Sequence, residues 1–549
     1  MRIVTPDEMR ALEARYMEVS GEDSIKLMGR AAARLRDEAM RLVERDNWPP
    51  DDCNIPHELS KMTGITTAVF CGPGANGGDG WAVARRLFDL NSRVVILTMG
   101  LPEPGSAARH YYERCIGFLT AMRIVDISGS GMENCEDGAR MLDYVVSRCG
   151  EAQICVDLCV DALFGTGLSR PLSGGYLGMA RMMQLLKLRG ARVLAVDMPS
   201  GVNGLTGEDG GACPADVTVT FQFMKRGQLL GAGQDACGEL LCRDIGIPPS
   251  YAPQDAPLYI APCDIALARR RHDSYKGSYG HLMLIAGSKS YAGAALLSTG
   301  AALRAGAGLV TAASVSCIVP LMQLRAPSAM ALDAGAGDVL DAASADIIRA
   351  ALPGKTALAI GPGLTRSAAP EVLRAVLESR LPAVLDADAL NIISEHGDLR
   401  ALLHGGCVLT PHPGEMARLM GRRCGDPVQD AHELARELGC TVLLKGGATC
   451  VSDGTRDFIM TPGAPGMACG GSGDVLTGVI GALLAQGMEP LRAALTGGLM
   501  HGRAGQLAQR RLGEIAMNAS DIIDDLPGAF MEATGERAQE MRECTRFAY

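Results

Sequence analysis

Two kinds of apolar run alternate along this chain. Short continuous runs of Val, Ile, Leu and Ala are followed by longer stretches in which apolar residues return every three or four positions. Continuous runs suit strands buried on both faces, and the longer period suits amphipathic helices, so the alternation predicts βαβ units and parallel sheets. In the first half, strands are expected at residues 67–71, 93–98, 154–164, 193–197 and 217–221, with amphipathic helices over 6–45 and 81–90. In the second half, strands are expected at 281–286, 309–313, 357–360, 383–386, 407–410 and 441–444, with a long helix over 474–486. The predicted class is α/β throughout. The first half reads as a Rossmann-like doubly wound sheet, whose ligands sit at the carboxyl ends of the strands.

Proline breaks this rhythm once. Pro248, Pro249, Pro253, Pro257 and Pro262 crowd a stretch that cannot sustain a helix or a central strand, so a linker is expected at 251–263 between domains 1–250 and 264–530. Residues 46–64, with Pro49, Pro50 and Pro56, read as a surface insertion, and the polar tail 531–549 is expected to be poorly ordered.

At 549 residues the chain can bury two full cores. Its net charge of -10 opposes a nucleic-acid or anionic-membrane partner, which would want a basic footprint. No apolar run reaches signal-peptide or membrane-spanning length. The 18 cysteines show neither C-x-x-C pairs nor zinc spacing, and several, such as Cys155 and Cys159, fall in apolar strands. Reduced buried thiols and a cytoplasmic location are therefore expected, with assembly as a homo-oligomer.

Chemistry concentrates in glycine-rich strand ends. Gly72-Pro73-Gly74-Ala75-Asn76-Gly77-Gly78-Asp79-Gly80 follows a strand and precedes a helix, which is the context of a phosphate-binding G-x-G-x-x-G loop. The next strand ends in Thr98-Met99-Gly100 without an acid for a ribose diol, so a dinucleotide fingerprint is weak while a loop for some polar ligand survives. Two further strand ends carry acids, Asp161 before Ala162-Leu163-Phe164-Gly165 and Asp197 before Met198-Pro199-Ser200-Gly201. In the second half, Gly470-Gly471-Ser472-Gly473 opens an apolar helix whose bare N–H groups can hold an anion, and Asp474 follows at once, placed to take a proton from an attacking hydroxyl. Asp386, Asp388 and Lys445 are weaker candidates, because acids at strand ends are often caps.

The three motifs of the first half, in this order, resemble the NAD(P)H-hydrate epimerase domain over residues 1–250. That resemblance implies a potassium ion held by Asn76, Asp161 and Ser200, and a hydrate site lined by Ala75, Asn76, Gly77, Gly78, Asp79, Gly165, Thr166, Gly167, Leu168, Ser169, Arg170, Pro171 and Asp197. Asp161 or Asp197 would serve as the catalytic base. Ala75 stands where the family usually has Asn.

The second half, about 264–527, resembles the ribokinase-like NAD(P)H-hydrate dehydratase through Gly361-Pro362-Gly363, Thr410-Pro411-His412-Pro413-Gly414-Glu415, Lys445-Gly446-Gly447-Ala448-Thr449 and the Gly-Ser-Gly-Asp loop. By that resemblance Lys445, Gly446, Gly447, Ala448, Thr449 and Gly473 bind ADP or ATP with Mg2+, while Ala294, Gly363, His412 and Asp474 face the hydrate, with Asp474 catalytic. Tyr275 stands where the family often has His, and Thr365 where it has Gly. The implied activity is repair of hydrated NADH and NADPH: epimerisation of the R and S hydrates, then ADP-dependent dehydration of the S form. The alternative is a ribokinase-like small-molecule kinase fused to a non-catalytic scaffold.

Overall fold

The continuous aliphatic runs do become buried parallel strands. A computed structural model of the chain describes residues 1–44, 62–118 and 122–535. It divides into two units, Met1–Ala256 and a second beginning at Pro257.

The first unit contains β1 (Ile3–Val4), β2 (Thr66–Cys71), β3 (Arg93–Thr98), β4 (Arg123–Asp126), β5 (Leu158–Ala162), β6 (Arg192–Val196), β7 (Val217–Phe221), β8 (Met224–Lys225) and β9 (Glu239–Arg243). Among the described residues, seven of these form one parallel sheet in the order β4-β3-β2-β5-β6-β7-β9, and β1 pairs separately with β8. The chain reverses its winding between β2 and β5. Their carboxyl ends are therefore the place where the fold opens a crevice.

Several expectations shift. The single helix foreseen over 6–45 is two, Pro6–Ser20 and Ser24–Glu44, because Gly21 at φ 69 caps the first. The helix foreseen from 81 begins at Ala75, so Asn76, Gly77, Gly78 and Asp79 occupy its first turns. Glycine permits this by close approach: a Cβ on Gly77 would lie 1.8 Å from the Gly72 carbonyl oxygen. Cys159 is buried as expected, whereas Cys155 is exposed ahead of the strand.

The second unit contains β10 (Leu258–Tyr259), β11 (His281–Ile285), β12 (Leu309–Ser314), β13 (Met330–Asp333), β14 (Ala357–Ile360), β15 (Ala383–Leu385), β16 (Cys407–Leu409), β17 (Thr441–Leu444), β18 (Thr449–Ser452) and β19 (Asp457–Met460). They form one sheet in the order β10-β19-β18-β17-β16-β15-β14-β11-β12-β13, parallel except where β18 pairs with β17 and β19. The helix Ser472–Ala485 is almost wholly buried against it, with Gly481 meeting Ala359 and Leu282. No described helix is long and apolar enough to cross a membrane.

The proline-rich stretch contributes to both units. Tyr251 packs edge-on against Tyr16 with centroids 5.6 Å apart, and the Ala256 carbonyl accepts a 3.0 Å hydrogen bond from Arg2. Leu258–Tyr259, expected as linker, forms an edge strand beside β19. The insertion foreseen at 46–64 lies almost entirely outside the described residues. The tail foreseen from 531 is helical at its start, since the helix Ala519–Ala533 buries Ala529 and Ala533; residues 536–549 lie outside the description.

These contacts place the cut between the units after Ala256. Residues 1–256 and 257–549, expressed separately, should each be soluble and show a cooperative thermal transition, whereas ending the first fragment at residue 250 strips Tyr16 of its partner and should lower that transition by several degrees.

Candidate functional site

In the first unit the neighbours β2, β5 and β6 bring the three predicted loops together at their carboxyl ends. Asp161, the penultimate residue of β5, is fully buried. Its Oδ1 accepts from Ser200 Oγ at 2.5 Å and its Oδ2 from the Ser200 amide at 2.8 Å, while Ser200 Oγ accepts from the Phe164 amide at 2.9 Å. Burial pushes the Asp161 carboxyl up to about 6, against the lowering effect of the Ser200 bonds. Asn76 is buried and near enough to Gly165, on the loop after β5, that a Cβ there would meet Asn76 Oδ1 at 3.0 Å. Its Nδ2 is buried with no hydrogen-bond partner among the described residues. Turning the amide over exchanges that orphaned donor for an oxygen.

Asp197 follows β6 and adopts φ 61, a left-handed conformation that costs energy outside glycine. Its carboxylate accepts from Lys225 Nζ at 2.5 Å and Thr220 Oγ1 at 2.9 Å. Sequence reasoning missed Lys225. The available signal was a lysine set directly after the apolar Phe223-Met224, where burial demands a counter-charge. Asp79 and Glu13 also face this cluster, and burial holds both carboxyls above their usual range. Of the remaining predicted residues, Thr166 lies near Gly204, whereas Gly167, Ser169 and Arg170 are exposed on the loop.

In the second unit Asp474 lies in the first turn of Ser472–Ala485, behind Gly471 at φ 92. Among the described residues its carboxylate has no hydrogen-bond partner. Burial raises it to about 6, with Asp386 and Asp388 adding to the effect and Lys445 opposing it. Asp386, at the end of β15, is 1% exposed and accepts from Lys445 Nζ at 2.7 Å and Thr477 Oγ1 at 2.7 Å. A Cβ on Gly473 would lie 3.3 Å from Lys445 Nζ, so the expected nucleotide residues Gly473 and Lys445 are neighbours. Gly446, Gly447 and Ala448 form the turn from β17 into Thr449 at the start of β18.

Ala294 and Gly363 touch, since a Cβ on Gly363 would meet the Ala294 Cβ at 2.9 Å. The His412 ring is half exposed, and its Nδ1 accepts from the Gly414 amide at 2.9 Å as the cap of helix Pro413–Met420. His501, which sequence reasoning also missed, is buried with Nε2 3.3 Å from Ser472 Oγ, and burial lowers it to about 4. A histidine inside a long helix gives no advance sign of this.

The comparisons with known proteins agree with this two-site layout. A family model described as NAD(P)H-hydrate dehydratase matches residues 282–528, and one described as YjeF-related protein N-terminus matches residues 24–227. The bifunctional NAD(P)H-hydrate repair enzyme of Moorella thermoacetica is 35% identical over 556 residues, which cover 96% of each chain. That of Escherichia coli is 34% identical, covering 95% of this chain and 92% of its own. The chain belongs to the bifunctional NAD(P)H-hydrate repair enzyme family. This membership favours repair over the kinase-and-scaffold alternative.

One of the three departures from that family's pattern has a visible consequence. Thr365, standing where the family has Gly, is at φ 66, and the Asp388 carboxylate accepts from its amide at 2.9 Å, so a hydrogen bond holds a conformation glycine adopts freely. Tyr275 is 73% exposed and Ala75 begins its helix, so neither substitution disturbs a core.

The Asp386–Lys445 pair yields a stability prediction. Asp386→Ala leaves the Lys445 ammonium without its nearest counter-charge and Thr477 without its acceptor, and should destabilise the second unit by about 3 kcal/mol, measured by urea unfolding.

Proposed function

We propose that the second unit dehydrates the S hydrate at Asp474 and that the first unit supplies it by epimerising R and S. Hydroxide is a poor leaving group, and phosphorylation by a nucleotide improves it. Asp474 takes the proton from the hydrate hydroxyl as that oxygen attacks the terminal phosphorus of ADP; AMP leaves, the ring nitrogen lone pair expels orthophosphate, and loss of a proton from the adjacent ring carbon restores the dihydronicotinamide. The N–H groups of Gly470–Gly473 face the transferred group at a helix N-terminus. Lys445, Gly446, Gly447, Ala448, Thr449 and Gly473 bind the nucleotide, whose phosphate charge Mg2+ would offset when bound, and Ala294, Gly363 and His412 hold the hydrate. The observation that carries this reading is Asp474 itself, an unpartnered carboxylate beside a glycine-built anion cradle.

In the first unit we propose that Asn76, Asp161 and Ser200 hold a potassium ion. Their oxygens suit a hard cation, and turning over the Asn76 amide, whose Nδ2 has no partner among the described residues, would offer its oxygen to the ion. When bound, a potassium ion held by these residues would supply fixed positive charge to the site. The hydrate contacts helix residues Ala75 to Asp79, the loop from Gly165 to Pro171, and Asp197. A cytoplasmic homo-oligomer completes the reading, and light scattering gives its mass directly.

Asp474→Asn keeps the shape and removes the base, so dehydration should fall about 10²–10⁴-fold while nucleotide binding and epimerisation persist. Near-normal dehydration would remove Asp474 from the mechanism. Because a carboxylate must be ionised to accept a proton and Asp474 is raised to about 6, wild-type dehydration kcat/KM should climb with pH through about 6 and level above 7. Asp161→Ala should abolish any potassium dependence of epimerisation along with most of its rate; unchanged rates in potassium-free buffer would refute the ion site.

A further inference from the structure

The epimerase site holds two candidate bases, and their surroundings differ. Asp161 is enclosed: Oδ1 takes Ser200 Oγ and the Leu163 amide at 3.4 Å, Oδ2 takes the Ser200 amide, and none of its surface is open. Asp197 is anchored on one side only. Oδ1 accepts from Lys225 and Thr220, while Oδ2 has no partner among the described residues, and the side chain is 15% exposed.

Lys225 is unusual in its own right. Its side chain is 1% exposed, and its ammonium donates to Asp197 Oδ1 at 2.5 Å, Thr220 Oγ1 at 2.8 Å and the Phe221 carbonyl at 3.3 Å, which uses all three of its hydrogens. The residue sits on β8, whose pairing with β1 fixes its backbone. The Asp197 backbone is fixed as well, by its amide donating to Val219 and by Gln228 Nε2 donating to its carbonyl at 2.6 Å. Burying a lysine this deeply is costly unless its charge is used.

We infer that Lys225 is the positioning residue of the epimerase base: it clamps Asp197 through Oδ1 and thereby presents Oδ2 to the hydrate. This rests on the epimerase reading of the first unit. In that reaction the ring nitrogen lone pair forms a C=N bond as the C–O bond breaks, and the hydroxyl leaves as water with a proton from a carboxyl group. Water then adds to the opposite face, Asp197 takes its proton, and return of that proton to the donor carboxyl restores the starting enzyme. Glu13 from the first helix and Asp79 from the helix after β2 are the other acids facing Asp197, and burial holds both toward their neutral forms. Cys237 and Cys242 are nearby thiols pushed up to about 12, neutral in the working range.

The test follows epimerisation of purified R hydrate by the full-length protein between pH 5 and 9, with the thermal transition of the first unit in each variant as the fold control. Lys225→Met removes the cation paired with Asp197. Its kcat should fall at least about tenfold with KM within about twofold, and the acid limb should move up by about one pH unit, because a carboxylate beside other acids without a counter-charge holds its proton longer. Lys225→Arg should recover part of the rate and return the limb toward its original position. Thr220→Val, which removes a neutral donor and no charge, should lower kcat and leave the limb in place. A Lys225→Met enzyme that loses rate with an unmoved limb, or a Thr220→Val enzyme with unchanged kcat, overturns the clamp. Asp197→Asn that still epimerises overturns the assignment of the base, whatever the Lys225 variants do.

Discussion

A carboxylate buried at the end of a parallel strand must be given donors or be held protonated, and both halves of this chain are organised around that constraint. Asp161 receives Ser200, Asp197 receives Lys225 and Thr220, and Asp386 receives Lys445 and Thr477. Each donor arrives from a different element, so satisfying one carboxylate ties two or three strand ends together. Asp474 is left without such a donor, and its raised proton affinity follows from burial beside Asp386. In the second unit the acid without a donor is the one placed to take the substrate's proton, whereas in the first Asp197 keeps one oxygen open while the other is held.

Glycine makes this crowding possible. In the first unit Gly72, Gly77 and Gly80 let the helix from Ala75 press its first turns onto β2 and β5, with Cβ clearances as short as 1.8 Å. In the second, Gly361 at φ 131 sits against the Asp386 carbonyl. Both units thus present backbone N–H groups and a few carboxylates in one crevice, and differ in what balances them. The first uses hydroxyls and a buried lysine, whereas the second leaves an open anion cradle.

The sequence revealed the central strands because parallel strands buried on both faces read as unbroken aliphatic runs; 93–98, 217–221, 357–360 and 441–444 coincide with the observed elements. What escaped it lies near sheet edges. Arg123–Asp126, Glu239–Arg243 and Met330–Asp333 are short, flanked by charge and partly exposed, and Thr449–Ser452 and Asp457–Met460 form an antiparallel extension within a pattern read as parallel. Motif residues were legible because glycine and acid cluster locally. Lys225 and His501 were not, since each gains meaning only from a partner 28 or 29 positions away in the chain. The linker boundary was likewise hidden, because Tyr251 is anchored by an aromatic contact to a helix at the other end of its unit.

The central claim is that phosphate is used to leave, never to stay. Phosphorus NMR of the full-length protein with the S hydrate and ADP reads this directly. The account predicts orthophosphate, AMP and reduced dinucleotide appearing in equal amounts, with no phosphate ester accumulating. A stable phosphorylated product, with no dihydronicotinamide formed, would contradict it.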